Sequence, residues 1–97
     1  MPLAIRLKIQ TYYDILLAIH FLGKSGHTAT LYSVGRRAGL PHNRMRVRLK
    51  ELIGLGFVDS NNDVTKRGYA FCEDYQKHVA PVLVRYGVCA PEGGPTP

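Results

Sequence analysis

The tripeptide Gly39-Leu40-Pro41 sets the tightest limit on what this chain can become. Glycine takes the positive backbone angle that closes a helix in a tight turn. Proline is tolerated in a first helical turn but disfavours helix in the residue before it. One helix must therefore stop just before Gly39 and another must open at Pro41. The chain is confined to short helices folded sharply back on one another.

The segments on either side carry the matching periodicity. Tyr12, Ile15, Leu16, Ile19 and Leu22 fall on one helical face, which predicts a first helix over 11–24, ended by Gly23 and Gly26. Tyr13, Leu17 and Phe21 form a second apolar stripe on nearly the opposite side, so this helix must be covered twice. His27 to Thr30 reads as a short extended stretch, with Thr30 capping a second helix over 31–38. The third helix runs from Pro41 to about Gly54, with Gly56 marking the exit. Phe57-Val58 and Val64-Thr65 flank the turn-forming run Asp59 to Asp63, the pattern of a β-hairpin. Thr65 caps a long last helix, which Pro81 should kink or split, leaving a final piece to about Tyr86.

The ends are read differently. Residues 1–10 form an N-terminal extension whose period-two alternation (Leu3, Ile5, Leu7, Ile9) suggests a strand, with continuation of the first helix as the competing reading. Residues 11–86 make one domain, since 97 residues are too few for two cores. Residues 87–97, rich in proline and glycine, read as a disordered tail.

Helix, short strand, helix, helix, hairpin and helix in this order predict a mainly α fold with a small β-hairpin wing, a winged helix-turn-helix. The third helix then carries the function. Met45, Leu49, Leu52 and Ile53 point inward, whereas Asn43, Val47, Lys50 and Gly54 point outward, with Arg44 and Arg46 on the shoulders. Arg48 flanks the core stripe and can reach solvent by extending its stem. Of 13 Lys and Arg, six (Arg36, Arg37, Arg44, Arg46, Arg48, Lys50) fall between positions 36 and 50, with no acid before Glu51. With only seven Asp and Glu in the chain, the formal charge is +6, which favours a polyanionic partner.

A helix fits the major groove of duplex DNA, where Arg can read guanine and Asn adenine. On that geometry His42, Asn43, Arg46 and Val47 lie nearest the bases. Arg36, Arg37, Arg44, Arg48 and Lys50 hold phosphates, and Asn61 and Asn62 at the hairpin tip lie along the adjacent groove or backbone. His42 and Asn43 also admit plainer roles, as a helix-start residue and a capping group. The rival reading is a protein-interaction module without direct DNA binding, which should be more apolar or mixed in sign at its centre.

Other classes find little support. His20, His27, His42 and His78 lie on different elements at no metal-binding spacing, and neither a phosphate-binding glycine loop nor a nucleophile context is present, so no enzyme, metal or cofactor is expected. The longest apolar stretch, Ile15 to Leu22, is interrupted by His20 and too short for a membrane span. Met1 to Arg6 lacks a signal-peptide pattern, which points to a cytoplasmic, nucleoid-associated protein. Cys72 and Cys89 match no metal template and read as reduced thiols, a disulfide being the other state open to them.

The runs Thr11 to Leu16, Ala38 to Pro41, Leu49 to Val58 and Val64 to Phe71 resemble small archaeal winged-helix proteins over roughly residues 10–77. That group includes chromatin-associated DNA-binding proteins and predicted transcriptional regulators. The resemblance implies a winged helix and a homodimer held by a long C-terminal helix, although Pro81 here interrupts that helix. Gly68, Cys72, Tyr75, Val79, Val82 and Tyr86 recur at spacings of four and three, a helical seam. Together with Tyr13, Leu17 and Phe21 these residues, from Cys72 onward, are the expected dimer contacts.

Overall fold

A computed structural model describes residues 7–26 and 30–86. The residues expected to begin a strand (1–6), to run extended (27–29) and to form a tail (87–97) lie outside the described residues. Four helices follow in order: α1 (Lys8–Lys24), α2 (Leu31–Ala38), α3 (His42–Gly54) and α4 (Lys66–Asp74). A π-helical turn (Tyr75–Val79) joins α4 to α5 (Ala80–Tyr86).

Local chemistry explains most of the boundaries. Helix α1 starts three residues before the predicted position: Leu7 is extended and Lys8, Ile9 and Gln10 are already helical. The competing helical reading of that segment therefore holds for those three residues. Thr30 caps α2 reciprocally with Ser33: Thr30 Oγ1 accepts from the Ser33 amide (3.1 Å), and Ser33 Oγ accepts from the Thr30 amide (2.9 Å). Gly39 closes α2 at φ 76°, where a side chain would be strained. Pro41 then stands immediately before α3.

The predicted wing is not formed. Among the described residues there is no strand, only one antiparallel bridge between Val58 and Val64. The mainly α expectation stands, but the winged helix-turn-helix class falls, because that fold requires a paired hairpin. The physical reason is length. Once Gly56 has left α3 and before Lys66 opens α4, the five-residue turn leaves each arm only two residues. An isolated pair so short has too few ladder bonds to be a strand. Its turn is instead closed on itself: Asp59 Oδ1 accepts from the amides of Asn61 (2.9 Å) and Asp63 (3.0 Å).

The last helix is not split at Pro81 but runs on through a π-helical turn to Tyr86. The proline ring would clash with the carbonyl four residues back and its nitrogen donates no hydrogen bond. The helix accommodates it by widening one turn, the Ala80 amide reaching the Tyr75 carbonyl five residues back.

The core lies between α1, α2 and α3, built from Ile15, Leu16, Ile19, Val34, Met45 and Leu52, with Val58 closing it from the turn. Helix α4 packs across α1, where the Tyr69 ring meets His20 edge-on (5.5 Å between ring centres), and two further ring pairs tie α4 to the segment after α3 and the π-helical turn to α1. Phe57 stacks on Phe71 (4.9 Å between ring centres), and Tyr75 stacks on Tyr13 (4.3 Å). Gly68 permits this approach, since a Cβ there would collide with the Phe57 carbonyl and the Val64 side chain. No described helix is long and apolar enough to cross a membrane.

Candidate nucleic-acid interface

Helix α3 buries Met45 and Leu52, half-buries Leu49 and leaves Ile53 exposed at its end. The opposite side is open. His42, Asn43, Arg44, Arg46, Val47 and Lys50 are all exposed, Val47 at 52%. Arg44, Arg46 and Lys50 form no ion pair among the described residues, whose two salt bridges are Arg48–Glu51 and Lys77–Glu73. Three uncompensated cations thus surround one exposed aliphatic side chain. Asn43 turns part of its side chain inward, its Oδ1 accepting from the Arg44 amide (3.0 Å). This satisfies a donor in the first turn of α3, whose N-cap Pro41 offers no side-chain cap, and leaves the Asn43 amide nitrogen for an outside partner.

Arg48 stands apart from the other basic residues of the helix. Its Nη1 donates to both oxygens of Glu51, at 2.9 and 3.0 Å. The Tyr12 hydroxyl, on α1, donates to Glu51 Oε1 at 2.6 Å. The hydrogen bond from Tyr12, then that from Arg48, hold the Glu51 carboxyl below the usual range, and the charges of Arg48 and Lys8 add to this. Burial, the bond to Glu51 and its negative charge together push the Tyr12 phenol above its ordinary value.

On α2 the two arginines are engaged with rings. Arg36 lies 5.9 Å from the Tyr32 ring centre, with Nη1 3.4 Å from its hydroxyl, and Arg37 lies 4.9 Å from the Phe21 ring centre. Both remain exposed. At the turn, Asn61 is exposed, but Asn62 is half-buried at φ 64° and lines a cleft with Thr30, Leu31 and Leu49. Asn62 therefore serves the turn's own packing rather than projecting from a wing. Of the two basic residues that follow the turn, Lys66 is exposed and Arg67 donates to the Leu55 carbonyl (2.9 Å) and covers Phe57 (5.4 Å).

The expected dimer residues separate into two groups. Tyr75 is buried (5% exposed) against Tyr13, whose hydroxyl accepts from Gln76 Nε2 at 2.7 Å, so these two complete an intramolecular seam. Cys72 is a free, half-buried thiol, raised by burial to about 11, and Val79 is half-buried. Phe21, Val82 and Tyr86 are exposed. Leu17 and Phe21, with Arg37 and Ala38, line an open groove of about 350 Å³ between α1 and α2.

Sequence reasoning missed Glu51, Tyr12 and Lys8. The Arg48–Glu51 spacing of three on one helix was visible, but Tyr12 lies 39 residues away and no local signal links it to Glu51. Among the described residues, no three His, Cys, Asp or Glu side chains gather as a metal site. Comparison of the chain with protein-family models, with curated proteins and with solved structures gave no match, so the resemblance to archaeal DNA-binding proteins rests on the quoted motifs alone.

Proposed function

We propose that this protein binds double-stranded DNA through the outward face of α3, as a transcriptional regulator or nucleoid-associated protein. One observation carries the reading: Arg44, Arg46 and Lys50 are exposed with no carboxylate partner among the described residues, around the exposed Val47. A solvated helical surface usually interleaves its charges with acids. Here the one acid of the helix, Glu51, is drawn aside by Tyr12 and Arg48. Arginines can then meet guanine edges or phosphates, and a valine methyl can meet a thymine methyl. The overall charge of +6 steers the chain toward a polyanion. The absence of a formed wing leaves α3, with Arg36 and Arg37 of α2, as the contact surface.

The reading includes a homodimer, supported by Phe21, Val82 and Tyr86 standing exposed. Sedimentation at micromolar concentration should give twice the chain mass; a monomer throughout that range retires the dimer. For DNA, binding to a short duplex is measured against salt. If each subunit of a dimer meets three or four phosphates, the log–log slope should be about −5 to −7. A slope near zero removes the electrostatic basis of the proposal.

A further inference from the structure

Glu51 lies on the element proposed to meet DNA, and a carboxylate there should by charge alone weaken binding. The geometry around it indicates the opposite. Both Glu51 oxygens are occupied by a single nitrogen of Arg48, Nη1 (2.9 and 3.0 Å), rather than by two nitrogens in a fork. A guanidinium carries five N–H donors, so Nε and Nη2 stay uncommitted among the described residues. The Arg48 side chain keeps 28% exposure, enough for an outside oxygen to reach it.

The pair is also anchored. An exposed ion pair three residues apart is usually loose and contributes little. This one is tied to another helix by the 2.6 Å bond from Tyr12. Arg44 lies one helical turn before Arg48, exposed and without an acid partner, and Lys8 of α1 is near enough for its charge to act on Glu51. Arg48 and Lys8 both act on the one carboxylate of Glu51, so the site carries a net positive charge.

We infer that Glu51, braced by Tyr12, is a positioning residue that holds Arg48 with its free edge outward to clamp a backbone phosphate of DNA. This inference rests on the DNA-binding reading above. A guanidinium fixed in advance loses less side-chain freedom on binding than a free one, so the brace strengthens the contact even though it adds a negative charge.

The sign of one substitution tests it. Glu51→Gln should weaken duplex binding about fivefold and make the salt slope shallower by about 0.9, one phosphate contact. In an Arg48→Gln background, where only the removed negative charge counts, the same change should cause no loss and should leave binding unchanged or slightly tighter. Tyr12→Phe, which leaves every charge in place, should weaken binding about twofold. Tighter or unchanged binding by Glu51→Gln overturns the inference, as does an equal loss when Arg48 is already gone. If Glu51→Gln fails to fold by circular dichroism, Tyr12→Phe decides alone, and unchanged affinity there overturns it. No duplex binding by the unmodified chain would instead sink the DNA reading itself, and this inference with it.

Discussion

On α3, Arg44, Arg46 and Lys50 turn their charges to solvent and find no acid, whereas along the seam between α1 and α4 the polar groups find one another. There Tyr13 takes a hydrogen bond from Gln76, and Tyr69 lies 3.0 Å from His20 Nδ1. The two regions obey one rule from opposite sides. Polar groups brought out of water need partners, and where the chain supplies them the surface is structural. A surface whose polar groups are left for solvent is free to meet another molecule. Of the residues that looked from sequence like partner contacts, Tyr13 and Tyr75 are spent within the chain, whereas Phe21, Val82 and Tyr86 stay exposed.

Substitutions on the two regions should therefore separate stability from binding. Tyr75→Ala removes a buried ring stacked at 4.3 Å on Tyr13 and should cost about 3–5 kcal/mol of stability. Thermal or denaturant unfolding would measure this. A loss under about 1 kcal/mol would mean that the ring contributes little to the seam, leaving it free for a second copy. Arg46→Ala should leave stability within about 0.5 kcal/mol and cost about 1–3 kcal/mol of binding at a preferred duplex site. An equal loss on every duplex would move Arg46 from base reading to phosphate contact.

The smallest effect concerns pH. Glu51 titrates below its ordinary value in the folded state, so its bonds stabilise the fold fully above the unfolded glutamate range. That contribution fades as pH falls through the lower, folded value. Unfolding midpoints followed into acid should thus drop less in Glu51→Gln than in the unmodified chain. Parallel curves would show that the link from Tyr12 to α3 adds nothing to the fold.

Much of the helical plan could be read directly from residue order. Thr30 before Leu31, Gly39 after Ala38 and Thr65 before Lys66 act on backbone groups within one turn, and each stands where its helix begins or ends. The hairpin was misread because turn chemistry marks a reversal of direction without showing how many ladder bonds follow. Asp59 to Asp63 did form the reversal, but Gly56 and Lys66 left no room for strands. The basic side of α3 was legible because it depends only on helical spacing, whereas the Tyr12–Glu51–Arg48 link was not, because Tyr12 lies 39 residues from Glu51.

Residue spacing alone thus determined the short helices, their caps, the turn at Gly39 and the outward cations of α3, since each arises from interactions within a few residues. Only the tertiary structure decided that Tyr13 faces Tyr75, that Tyr12 braces Glu51 and that the turn stops short of a wing. Those outcomes depend on how close two distant segments come and what each leaves uncovered, and such distances are set by the packing of the whole domain.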